Sequence, residues 1–163
     1  MIILKTFTCF SDVRVSKILK LFDINNHKVI FSGSKSETVN LDKFKSTKVE
    51  YNAKFRTGSY VNLFHIAIQD IRKILCLKKG DVLYVIDEHM AFFLAPVMLY
   101  LKLRKVKLIL DLFDSLYLKN NKNGVTSFFC FFLYKLFTQV IVTDQNRKKS
   151  LESLIYSNKI KVV

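Results

Sequence analysis

The chain has 163 residues, half of them hydrophobic, with a single proline and four glycines, a composition that suits one domain with a real core and excludes a disordered chain. Its formal charge of +14 favours anionic partners, but 22 of the 27 cations are lysine and only 5 are arginine. Phosphate and base readout lean on arginine forks, so specific nucleic-acid binding is not expected and the lysines read first as a solvated surface.

From the amino terminus, Ile2–Thr8 is an apolar run that predicts a first strand. Ser11 or Asp12 is placed to cap a helix running to about Asp23, with Val15, Ile18, Leu19 and Phe22 at core spacing and Arg14, Lys17 and Lys20 as a basic stripe. A turn at Asn25–Asn26–His27 leads to a second strand, Lys28–Ser32. Residues 33–48 are polar and read as a surface loop, and Val49–Phe55 as a third strand at a sheet edge. Tyr60–Leu77 predicts one continuous amphipathic helix, closed by Lys78–Lys79–Gly80, with His65 beside the apolar stripe in a structural role.

The centre of the chain is a strand–helix–strand unit. Val82–Ile86 is unbroken and apolar and ends in Asp87 and Glu88; Met90–Leu103 is a helix; Lys107–Leu112 is a second apolar run ending in Asp111 and Asp114. Strands without polar alternation are buried on both faces, the habit of parallel sheets covered by helices. Beyond the polar loop 119–124, Val125–Phe137 is apolar nearly all round, Val140–Val142 is a strand, Asp144 caps a helix over Asn146–Ser157, and Ile160–Val163 is a last strand. Val125–Val142 approaches the roughly 20 apolar residues of a membrane span. Lys135 and Gln139 interrupt it, so a buried or membrane-grazing helix is expected instead. Alternating strands and helices, with no repeat or linker, predict one doubly wound, mostly parallel α/β domain over residues 1–163. Cys9, Cys76 and Cys130 are odd in number and widely spaced, which argues for a reducing compartment and against a disulfide framework or zinc site. The opening apolar run is too short for a signal peptide.

Three stretches carry a family likeness. SDVRVSKILKLFDINNHKVIF has an Arg-Val-x-Lys helix followed by an Asn-His-Lys-Val turn. GDVLYVIDEHMAFFLAPVMLY leads into KLILDLFDSLY, and TQVIVTDQNRKKSLESL leads into NKIKVV. In order and spacing the chain resembles the N-terminal, acceptor-side domain of GT-B fold glycosyltransferases, especially the family 4 kind that builds bacterial surface polysaccharides. The resemblance implies a Rossmann-like domain that helps transfer a sugar from a nucleotide-sugar to a glycan or lipid-linked acceptor. Apart from the resemblance, the phenylalanines between Phe128 and Phe137 and the cations of the first helix and of Lys102–Lys107 predict a cytoplasmic chain peripheral at the inner face of the cell membrane, with an anionic membrane surface as a candidate partner. The resemblance also implies that the nucleotide-sugar is held by a second, donor domain, which the family would continue into after Val163, so the chain is expected to act with a separate donor-binding chain; an inactive remnant and a non-enzymatic membrane-side module are the alternatives. Asp87, Glu88 and His89 are then the candidates to orient or deprotonate an acceptor hydroxyl, and Ser11, Asp12, Arg14, Asp111 and Asp114 the candidates to bind the acceptor. Phe113 stands where family members often carry histidine, and TCFSDVRV has no glycine for a tight phosphate cradle. No cofactor or metal is implied.

Overall fold

The computed structural model describes residues 1–9, 13–25, 27–34, 47–52, 60–112 and 124–163. Seven strands, β1 (Ile2–Cys9), β2 (Val29–Ser34), β3 (Thr47–Asn52), β4 (Val82–Ile86), β5 (Lys107–Asp111), β6 (Gln139–Val142) and β7 (Ile160–Val162), form one sheet in the order β3-β2-β1-β4-β5-β6-β7. Every neighbouring pair is parallel. Among the described residues the helices are α1 (Val13–Ile24), α2 (Tyr60–Ile68), α3 (Ile71–Leu75), α4 (Glu88–Leu103), α5 (Gly124–Leu136) and α6 (Gln145–Glu152), with a 3-10 turn at Ser157–Lys159. This is a Rossmann-like doubly wound fold. Its strand order reverses between β1 and β4, which creates the crevice where ligands of such sheets collect.

The apolar runs form central strands because each feeds both faces of the sheet. Leu83 pairs with Leu108, Leu110 with Val140 and Val140 with Ile160, and these side chains pack beneath α2, α3, α4, α5 and α6. On the opposite face Ile2, Leu4, Val29, Phe31, Tyr84 and Ile86 pack beneath Val15 and Leu19 of α1. Parallel connections are right-handed by strong preference. With this strand order, the described helices after β3 all lie over the first face, and α1, between β1 and β2, lies over the second. The expected edge position of the third strand and the central positions of Val82–Ile86 and Lys107–Leu112 are both observed.

Two local expectations change. The helix foreseen over Tyr60–Leu77 is two helices, broken at Asp70, whose backbone is left-handed (φ 61°, ψ 14°). The break has a tertiary cause: buried Lys5 donates from Nζ to the Gln69 carbonyl at 2.9 Å, and Ser32 Oγ donates to Asp70 Oδ2 at 2.9 Å. His65, expected beside the apolar stripe in a structural role, is exposed with its ring edge-on to Phe64. The helix foreseen over Asn146–Ser157 ends at Glu152. Its start is as expected, with the Asp144 carboxylate accepting from the Arg147 amide at 2.9 Å, a bond that holds Asp144 below the usual carboxylate range.

The phenylalanine-rich helix α5 is two-faced. Cys130, Leu133, Tyr134 and Phe137 point into the core, whereas Phe128 and Phe132, at 65 % and 54 %, stand in solvent. Among the described residues no helix is long and apolar enough to cross a membrane. Replacing Phe128 or Phe132 with serine therefore costs under about 1 kcal/mol in urea unfolding, as surface changes do, whereas Phe137→Ala costs about 3–5 kcal/mol. A Phe128→Ser penalty as large as that of Phe137→Ala would show the helix covered on its outer side.

Candidate functional site

The site begins with a carboxylate where the strand pattern calls for an apolar side chain. On the α1 face the last cross-strand row reads Ile86, Asp111, Ile141, so the Asp111 side chain is buried at the carboxyl edge of the sheet, 2 % exposed. Burial of a charge needs partners. Arg14, in the first turn of α1, supplies a two-pronged pair: Nε donates to Asp111 Oδ2 at 3.2 Å, and Nη2 pairs with Oδ1. The Tyr84 hydroxyl from β4 donates to Oδ2 at 2.8 Å. Burial pushes the Tyr84 phenol up to about 12, although the nearby Arg14 charge opposes the rise, so the hydroxyl keeps its proton and remains a donor. Phe22 holds the Tyr84 ring edge to face, with centroids 5.8 Å apart.

Beside this triad lies an open cleft of about 620 Å³. Val13, Lys17, Ile18 and Leu21 of α1 form one wall; Ile141, Thr143 and Val163 form the other, with Arg14, Asp111 and Tyr84 at its base. Apolar walls around a few convergent polar groups are the usual makeup of a small-molecule site. Among the described residues no helix crosses β5, β6 and β7 on this face, and the cleft lies there.

The turn after β4 sits on the same edge. The Asp87 amide donates to the Asp111 carbonyl at 3.1 Å, tying the two strand ends together. Asp87 has φ 77° and ψ 142°, a conformation costing on the order of 1–3 kcal/mol for a residue other than glycine. The three adjacent candidates then diverge. Asp87 is half-buried at the edge, His89 is exposed, and Glu88 turns fully into the core on the α4 face, where it accepts a hydrogen bond from the Tyr134 hydroxyl. Burial pushes the neighbouring Cys130 thiol up to about 12, and the Glu88 charge adds to the rise. Of the sequence-named residues, the structure thus joins Arg14 with Asp111, and Asp87 with Asp111 through backbone, and sends Glu88 away from them. Ser11, Asp12, Asp114 and Phe113 lie outside the described residues.

Two partners escaped the sequence reading. Tyr84 sits in an apolar strand, where a buried phenol needs an acceptor, and that need was its one signal. Lys5 is the one charge in the first strand, yet it is fully buried. Its Nζ donates to Ser32 Oγ at 2.7 Å as well as to Gln69. Burial lowers its pKa from 10.5 to about 8, against the raising effect of Asp70. No group of three or more histidine, cysteine or acidic side chains able to hold a metal occurs among the described residues.

No protein-family model matches the chain, and no curated protein matches it in sequence. Fold and site define its class: a Rossmann-like domain with a charged, hydrogen-bonded site at the carboxyl edge of a parallel sheet.

The Lys5 environment gives a pH dependence. The folded chain releases this proton near pH 8, whereas the unfolded chain keeps it to about 10.5. Between those values the unfolded state binds more protons, so stability rises with pH. One proton of difference is worth about 1.4 kcal/mol for each step of one in pH. From pH 8 to pH 10, wild type therefore gains roughly 2 kcal/mol relative to Lys5→Met in denaturant titrations. Parallel pH profiles for the two proteins would contradict a buried, proton-releasing amine.

Proposed function

We propose that this chain is the acceptor-side domain of a GT-B type glycosyltransferase of the kind that builds surface polysaccharide. It works at the cytoplasmic face of the cell membrane, and a second domain or chain holds the nucleotide-sugar. The observation that carries this reading is the Arg14–Asp111–Tyr84 triad at the base of an apolar-walled cleft on the carboxyl edge. Sugars present an apolar ring face and a rim of hydroxyls, and this lining offers a match for both. Ile18, Leu21 and Ile141 suit the ring face, and Arg14, Lys17, Asp111 and Thr143 suit the hydroxyls.

Glycosyl transfer forms a bond from the acceptor oxygen to the anomeric carbon and breaks the bond from that carbon to the diphosphate. The acceptor hydroxyl gives up its proton as this happens. Asp87, a half-buried carboxylate at the mouth of the switch-point crevice, is the general base in this reading. Exposed His89 orients the acceptor from the next position. Glu88 is a positioning residue, since its bond from Tyr134 anchors the first turn of α4 and hence the turn that presents Asp87. The departing diphosphate is neutralised from the donor side.

Calorimetry with oligosaccharide acceptors tests the reading. Wild type binds them in the millimolar range, and Asp111→Asn weakens binding about tenfold or more, as expected for loss of a charged hydrogen-bond acceptor. Lys17→Ala, at an exposed rim position, weakens it less and leaves the fold intact. Nucleotide-sugars bind weakly or not at all. Micromolar binding of a nucleotide-sugar to the chain alone, or carbohydrate binding indifferent to both substitutions, would overturn the proposal.

A further inference from the structure

The layer formed by α2, α4 and α5 has an unusual outer face. Phe64 of α2, Leu99 and Leu103 of α4, and Phe128, Phe129 and Phe132 of α5 all stand well exposed, Leu103 at 79 %. The three helices are neighbours: α4 lies between the other two, with the Phe93 ring 6.3 Å from that of Phe64 and Lys102 Nζ donating to the Lys135 carbonyl at 2.6 Å. The exposed side chains therefore share the outer side of one packed helical layer. Scattered apolar residues need no explanation, but contiguous exposed patches mark interaction surfaces.

The charge around that surface says what covers it. Glu88 is the one acidic residue on these three helices, and it is buried under Tyr134. At the end of the layer facing the amino edge of the sheet, Lys102, Lys135 and Lys159 converge on a cleft of about 800 Å³. Ser153, Ser157 and Tyr156 add hydroxyl groups to its lining, and Glu152, which lies 4.0 Å from Lys148, is the one acid there. Lys135 lies on the same helical stripe as Phe128 and Phe132, its ammonium 3.8 Å from the centre of the Phe131 ring. Burial lowers the Lys102 pKa, and the neighbouring Lys159 charge lowers it further. An aromatic and aliphatic face bordered by lysines, with no exposed acid on its helices, is complementary to an anionic bilayer: rings and leucines enter the headgroup boundary and lysines reach the phosphates. Docking two copies through this face would set two lysine clusters against each other, which the charge disfavours.

We propose that the outer face of α2, α4 and α5 docks the chain on an anionic phospholipid membrane, the Lys102–Lys135–Lys159 cleft receiving headgroup phosphates. The surface lies on the opposite face of the sheet from the Asp111 cleft, so docking leaves that cleft open to solvent. It supplies the membrane contact assumed in the proposed function, and a failure to float would leave carbohydrate binding at the Asp111 cleft unaffected.

Vesicle flotation with the full chain tests it. Wild type floats with phosphatidylglycerol–phosphatidylcholine vesicles at low salt, and binding falls as salt rises. The triple variant Lys102→Ala, Lys135→Ala, Lys159→Ala loses on the order of a hundredfold in partitioning, given the contribution of each cation near a charged surface. Phe128→Ser with Phe132→Ser abolishes flotation while the melting profile stays cooperative; Leu103→Ser repeats the test on α4 should that double variant fail to fold. Light scattering without vesicles measures self-association. Absence of flotation, equal flotation with pure phosphatidylcholine vesicles, or indifference to the lysine variant would overturn the proposal. So would a dimer that the Phe128/Phe132 change dissolves and that does not bind vesicles.

Discussion

An all-parallel sheet leaves the chain little freedom in where its helices go. Each strand must be followed by a crossover, crossovers are right-handed, and the strand order reverses once, between β1 and β4. The described helices after β3 consequently lie over one face. That face carries α2 to α6 and the larger core, while α1 is the one helix described on the other. The main features of the molecule follow from this imbalance. On the crowded side, helices pack edge to edge and present an outer layer of their own. On the sparse side, no described helix covers β5 to β7, and a cleft opens next to α1.

The uncovered side is also where a charge has been admitted to the sheet. Placing Asp111 in a row with Ile86 and Ile141 costs solvation that an apolar residue would not forfeit, and a buried pair is weak grounds for stability. What the pair does provide is fixed geometry. Two contacts from Arg14 and one from Tyr84 hold the carboxylate in one orientation, lock α1 to the edge of β5, and leave the cleft wall with polar groups already in position. Preorganised groups of this kind suit recognition of a small polar ligand, since little ordering remains to be done on binding. The Asp87–Asp111 backbone bond extends the same rigidity to the turn leading into α4.

The strands and their order of importance were legible because their signal is local. Val82–Ile86 and Lys107–Leu112 are unbroken apolar runs, and burial on both faces is what such runs demand. Arg14 and Asp111 were each visible as candidates, though their meeting across 97 positions was not. What escaped the sequence depends on contacts between distant segments. Lys5 and Ser32 break the helix at Asp70 from two other strands, and no periodicity within Tyr60–Leu77 records their presence. Asp87, Glu88 and His89 read as one acidic–imidazole cluster. A strained backbone at Asp87 and the pull of Tyr134 on Glu88 send the three side chains to different places. The phenylalanines of α5 look alike in sequence, and only the packing of α4 beside α5 decides which enter the core.

The claim that the carboxyl edge is the recognition site is tested most directly by mapping amide chemical shifts of isotope-labelled chain during titration with an oligosaccharide. The account predicts changes concentrated at residues 13–18, 84–89, 111–112 and 141–144, around the Asp111 cleft and the Asp87 turn. Changes centred instead on Lys102, Lys135 and residues 153–159, at the other end of the sheet, would contradict it.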